Sequence, residues 1–212
     1  MKMSYRVGGL LAAIVCLTNP VFAKDASTAA ASASTKESTK ESTKELAQAR
    51  ALDSAMTPGE GQKRLAAMIG TFNVAIRTWV DPSKPPIESS ATSVSAWVLG
   101  ERYVQMTLAG DLQGQPFNGI GYIGFDNVGK QYQSTWMDSG STGMTWYKGG
   151  FDASGKSATM KASVPDALTG KPTPVELRVK MSDDGGHVTE LWGHGLGNKM
   201  FKMMELRYTR SK

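Results

Sequence analysis

At Gly70 the apolar pattern of this chain changes period, from about 3.6 residues to 2, and it keeps the shorter period to its end. About ten strand-like runs follow, near residues 71–80, 89–99, 102–109, 116–125, 131–138, 143–149, 157–164, 174–181, 187–193 and 199–209. The separators are short. Gly100-Glu101, Asp126-Asn127-Val128-Gly129, Asp152-Ala153-Ser154-Gly155 and Ser182-Asp183-Asp184-Gly185-Gly186 supply the positive-φ residues that tight hairpins need. No stretch between runs has the length and periodicity of a helical crossover, so consecutive strands are expected to pair antiparallel. A two-sheet sandwich and a closed barrel both satisfy that pattern. The barrel is favoured, because a meander of similar strands can join first to last and remove both edges, whereas a sandwich usually shows longer crossing connections. The expected fold is therefore all-β: an antiparallel up-and-down β-barrel of about ten strands over 70–212.

The residues before Gly70 have other tasks. Residues 1–23 combine Lys2 and Arg6, the apolar run Leu10 to Leu17, and the small-residue ending Val21-Phe22-Ala23. That is the pattern of a cleaved secretory signal, too short in its apolar part to span a bilayer, with cleavage expected after Ala23. The protein is accordingly expected in the periplasm or secreted, with no stable membrane span. A lipid anchor on Cys16 is the competing reading, but Val15 suits the lipoprotein peptidase poorly. With Cys16 removed, no disulfide or thiol chemistry is expected in the mature chain. Residues 24–45 hold Ala, Ser, Thr, Lys and Glu, with three copies of Ser-Thr-Lys-Glu, and read as a disordered low-complexity tail. Residues 46–69 read as a short helical segment. Thr57 as cap, Pro58 at the first helical position and Glu60 in the first turn mark a start, and Leu65, Met68 and Ile69 form one apolar side that could close a barrel end.

Several strand motifs occur together as a set. They are Ile69-Gly70-Thr71-Phe72, Trp97-Val98-Leu99-Gly100-Glu101-Arg102, Gly114-Gln115-Pro116-Phe117-Asn118-Gly119-Ile120-Gly121, Gly124-Phe125-Asp126-Asn127, Tyr132 to Ser139, Thr169-Gly170-Lys171 and Lys202 to Arg210. In this order they resemble the bacterial family called domain of unknown function 1579, over residues of about 62 to 210. The sequence departs from the family pattern at Glu101, where glycine is usual, and at Phe72, where tryptophan is usual. The resemblance implies a lipocalin-like barrel and no established reaction.

The chemistry must be argued from residues. The formal charge of +5 falls to about +3 once Lys2 and Arg6 leave, and the remaining lysines alternate with acids rather than cluster among stacking aromatics, so nucleic acid is not expected as a partner. His187 and His194 are the only histidines, and their odd separation points them to opposite faces of one strand, with His194 expected in a turn; no metal site is expected. A lone histidine with Met200, Met203 and Met204 nearby could serve haem iron, but methionines at strand spacing are more often core filling, and no cofactor is expected. The Gly-x-Ser-x-Gly elbow, the phosphate loop and the dinucleotide fingerprint are all missing from the sequence.

What stands out is polar residues sharing strand faces with aromatics. Tyr132, Ser134, Trp136 and Asp138 lie on one side of a strand, and similar mixtures occur at Ser93, Ser95 and Trp97, at Trp146, at Glu190 with Trp192, and at Glu205, Arg207 and Thr209 opposite Met204, Leu206 and Tyr208. A dry core would alternate more cleanly. The leading expectation is an exported binding module whose interior holds a small, largely apolar or amphipathic molecule, with Trp97, Trp136 and Trp146 packing on it and Arg102, Asp138, Glu205 or Arg207 meeting its polar end. Two alternatives stay open. One is an enzyme using Asp138 or Glu205 as a general base whose pKa burial has raised, and the other is a structural envelope protein with a filled core. The identity of the ligand, any catalytic residue and the oligomeric state are not specified by the sequence.

Overall fold

The computed structural model describes residues 28–112, 114–167, 169–194 and 199–212, with side chains from residue 40 onward. The signal-like segment 1–23 and its cleavage point lie outside the described residues. The chain divides into two compact units, Met1–Leu46 and Ala47–Lys212. The described part of the first unit is helical, as the N-terminal portion of α1 (Thr28–Met56). This differs from the unstructured tail expected over 24–45. Alanine-rich sequence and a four-residue charge repeat are compatible with helical turns: the sequence places Glu41 three residues before Lys44, a spacing that supports a helix by about 0.2–0.5 kcal/mol per pair. A lack of core residues does not exclude a helix.

In the second unit, ten strands close into a barrel: β1 (Gly70–Thr78), β2 (Ile87–Val98), β3 (Tyr103–Leu112), β4 (Gln115–Asp126), β5 (Gln131–Asp138), β6 (Thr145–Phe151), β7 (Ser157–Pro165), β8 (Pro172–Met181), β9 (His187–His194) and β10 (Met200–Arg210). Each strand pairs antiparallel with its chain neighbours, and β1 pairs with β10 from Phe72↔Arg210 to Thr78↔Met204. Closure pairs both edges that an open meander would leave. Alternation decides the inner face. Phe72, Val74 and Ile76 are buried while Thr71, Asn73, Ala75 and Arg77 are exposed. Full burial of one such large apolar side chain is worth about 1.5–3 kcal/mol.

One end of the barrel is closed by helix, as expected, but with a different cap. α1 ends at Met56, where Thr57 N–H donates to Asp53 O at 3.0 Å, and the next helix, α2 (Glu60–Arg64), is capped by Gly59 rather than Thr57. Gly59 N–H donates to Gln62 Oε1 at 2.8 Å, and the buried Gln62 returns a 2.8 Å bond from Nε2 to Phe125 O at the end of β4. A 3₁₀ turn, Leu65–Met68, follows and buries Leu65 (0% exposed) and Met68 among Val104, Ile123, Tyr132 and Tyr147. Polar bonds seat this plug: Tyr132 Oη donates to Gly61 O at 2.8 Å, and the Arg210 guanidinium donates to Ile69 O at 2.9 Å and Ala67 O at 3.2 Å. At the same end the β2–β3 turn holds three consecutive positive φ values, 52° at Leu99, 63° at Gly100 and 61° at Glu101. No helix among the described residues is long and apolar enough to cross a membrane.

Candidate functional site in the barrel interior

Strand register determines which of the candidate side chains share the interior. On β5 the inner face carries Tyr132 and Ser134, both buried, then Trp136 and Asp138, both half-buried. Trp136 lies against β4 where that strand has no side chains: a Cβ on Gly119 would stand 2.2 Å from the indole Cζ2, and one on Gly121 would stand 2.8 Å from Cε3. Glycine inside a strand commonly marks such a close approach. The Trp136 Nε1–H donates to Asp138 Oδ2 at 2.9 Å, and the Gly140 N–H donates to Oδ1 at 2.9 Å, so both carboxylate oxygens are oriented. The indole also joins the core's two clusters, one around Leu65, Met68 and Val104 and one around Phe72, Val74 and Leu108. Trp97 is half-buried and packs on the first of them.

Polar groups are distributed through this interior. Ser93, Ser95, Ser134, His187 and Thr189 are buried. Thr78 Oγ1, Ser89 Oγ and His187 Nδ1 are buried without a hydrogen-bond partner among the described residues. The register Thr78↔Ile87 and Ile76↔Ser89 makes the two orphan hydroxyls diagonal neighbours on β1 and β2. They lie at the end away from the plug, where β5 finishes at Asp138. His187 sits nearer the plug, stacked on Tyr208 with ring centroids 4.0 Å apart and edge-on to Phe72 at 5.3 Å. Burial, helped by the Arg210 cation, lowers its pKa to about 4, so the ring is neutral. Burial and the nearby Asp138 charge push the Tyr147 phenol up to about 12. Burial also raises the phenol of Tyr208.

The other four candidates lie elsewhere. Arg102 is exposed in the β2–β3 turn, where its guanidinium donates to Met56 O at 2.9 Å and to Leu99 O and Gly100 O at 3.3 Å, tying the end of α1 to the barrel. Trp146 pairs with the outward Thr135 and is 59% exposed. On β10, Met204, Leu206 and Tyr208 take the inner face next to the β1 core, which puts Glu205 and Arg207 outside. There Lys202 donates to Glu205 Oε2 and, at 3.2 Å, to Glu190 Oε1, while Arg207 stands 3.6 Å from Glu205. The hydrogen bond from Lys202 holds the Glu205 carboxyl below its usual range against partial burial, the opposite of the raised general base considered from sequence. The structure thus brings Trp97, Trp136 and Asp138 to the interior and leaves Arg102, Trp146, Glu205 and Arg207 on the exterior. His194 is the last residue of β9 rather than part of a turn. Among the described residues no group of three or more His, Cys, Asp or Glu is disposed to hold a metal.

Sequence reasoning overlooked two features of this arrangement. The Gly119-x-Gly121 pair opposite Trp136 was a legible signal for a ring lying on bare backbone. The His187–Tyr208 stack was not, because it depends on the β9–β10 register Tyr208↔His187, with a bulge between Lys202 and Met204 upstream.

Comparisons with known proteins agree with the barrel. One solved structure, "Crystal Structure of Rv2717c from M. tuberculosis", is similar with a TM-score of 0.55 at 14% sequence identity, over 74% of this chain and 100% of that one. At that identity the likeness concerns the fold alone. Comparison with curated proteins finds no match. The model of the family "Protein of unknown function (DUF1579)" matches residues 57–210, a span that begins just before the α2 plug and ends with β10. With most of its length matched, barrel and plug together, the chain belongs to the DUF1579 family.

Proposed function

We propose that this protein binds a small, largely apolar molecule with a polar end inside the barrel, toward the end away from the helical plug. The observation that supports this best is the wall formed by Trp136. Its indole lies on the bare backbone of Gly119 and Gly121, fixed by Asp138, and gives a flat apolar surface edged by a carboxylate. Toward the same end of the barrel, on β1 and β2, the Thr78 and Ser89 hydroxyls are buried without a partner among the described residues, and a polar ligand end that reached them would satisfy them. A buried hydroxyl without a partner costs about 1–3 kcal/mol, so a polar group bound against either one would be stabilised. Trp97 would contribute apolar surface from the first core cluster. Export to the periplasm or beyond is part of the same proposal, supported by the charge and hydropathy pattern of residues 1–23.

Titration with parinaric acid, a fluorescent fatty acid that accepts energy from tryptophan, tests the reading. Saturable energy transfer is expected, with affinity reduced severalfold in Trp136→Phe and raised in Asp138→Asn, which takes a negative charge away from the fatty-acid head, while thermal melts show both variants folded at the assay temperature. Absence of saturable binding, or variants that bind as the parent does, would overturn it.

A further inference from the structure

A second recess lies at the plugged end, between the helical cap and the aromatics at the barrel mouth, and it differs from the interior around Trp136 in charge and construction. It is a cleft of about 630 Å³ between the α1–α2 junction, the β4–β5 turn and β6. Its floor is aromatic. Phe125, Tyr132 and Phe151 meet edge to face, with centroids 4.9 Å apart for Phe125 and Tyr132 and 5.1 Å apart for Tyr132 and Phe151. The polar atoms around that floor are already engaged: Tyr132 Oη donates to Gly61 O, and the Asn127 amide donates to Ser54 O at 2.8 Å and Thr57 O at 2.7 Å. The rim is charged. Glu60 is bonded to Lys63 and Asp53 accepts from Thr57 Oγ1, whereas Arg64 and Lys130 form no ion pair within 4.0 Å among the described residues.

An aromatic floor with spent hydrogen bonds and a rim with two uncommitted cations suits one chemistry: a planar ring system bearing a single negative charge. The geometry points to a binding site here for a fused-ring or aryl carboxylate or sulfonate, its rings on Phe125 and Phe151 and its anion on Arg64 and Lys130. The volume lies within the range typical of small-molecule sites, about 300–1,000 Å³. Arg64 lines the cleft, with its Nη1 beside the β6–β7 turn, 3.3 Å from where a Cβ on Gly155 would stand. This site is distinct from the interior proposed above, so each can fail without the other.

Calorimetric titration with naphthalene-2-sulfonate is the test, because substitutions can address the cleft without disturbing the core. Arg64 and Lys130 are both exposed. Arg64→Gln and Lys130→Gln should each weaken binding roughly tenfold by removing a charge-assisted contact, both with unchanged melting temperatures. Trp136→Phe should leave it unaltered, and neutral 2-methylnaphthalene should bind far more weakly. The inference is overturned if the parent binds no naphthalene-2-sulfonate, if Arg64→Gln and Lys130→Gln bind as the parent does, or if Trp136→Phe removes the binding.

Discussion

Replacing His187 by phenylalanine should change how the stability of this barrel responds to acid. The imidazole is 4% exposed, stacked on Tyr208, edge-on to Phe72 and close to the Arg210 cation, and its Nδ1 has no partner among the described residues. Its pKa falls from 6.5 in an unfolded chain to about 4 in the folded one. The unfolded state therefore takes up a proton that the folded state refuses, and the neutral ring's full contribution is present only above about pH 6.5. That contribution is lost as pH falls from there toward 4. At 1.36 kcal/mol per pKa unit the shift corresponds to about 3 kcal/mol. His187→Phe keeps a ring in the stack and removes the titration. Urea unfolding of both proteins at pH 7, 5.5 and 4 is the assay. Carboxylates whose pKa values are lowered in the fold, such as Glu205 and Glu176, also lose stabilisation in acid, but they are common to both proteins and cancel in the difference. The variant should gain on the parent by about 3 kcal/mol between pH 7 and 4. Parallel curves would refute the argument and place His187 in contact with water.

Other expectations follow from particular geometries. Glu101 adopts a φ of 61°, which favours glycine, so Glu101→Gly should raise stability by about 0.5–1 kcal/mol in denaturant unfolding, despite the entropy glycine adds to the unfolded chain. Gly119→Ala would put a methyl 2.2 Å from the Trp136 ring; a loss of about 1–3 kcal/mol is expected, with a red shift in tryptophan emission as the indole is displaced. Lys202→Met would leave Glu190 and Glu205, cross-strand partners, facing each other without their shared cation. A loss of roughly 1 kcal/mol at pH 7 is expected, fading as pH falls through the carboxylate range, and thermal melts at pH 7 and 4 would show it.

The barrel was legible because its signals are local. Alternation in Phe72-Asn73-Val74-Ala75-Ile76 sets the inner face of β1, and glycine-rich turns at 126–129, 152–155 and 182–186 leave antiparallel pairing as the simple solution. The site was less legible. In β6, Trp146 and Tyr147 are adjacent aromatics on opposite faces, so composition does not say which one enters the interior, and register with Thr135 and Ser134 decides for Tyr147. In β10 the alternation itself favours Met204, Leu206 and Tyr208 for the inner face, and the polar residues between them belong to the outer one. Arg102 looked like an anion-binding residue but is taken up by carbonyls of its own turn and of Met56, the last a contact that spans 46 residues and leaves no mark on local sequence. The cap at Gly59 instead of Thr57 likewise depends on Gln62 bridging to Phe125 in another element.

Native mass spectrometry of the protein purified from its own host tests the central claim of an interior ligand site most directly. The account predicts the mass of the folded chain plus one small, largely apolar molecule, released by organic solvent and retained less well by Trp136→Phe. A single unliganded mass, identical for parent and variant, would contradict it and favour a barrel whose interior is filled by its own side chains.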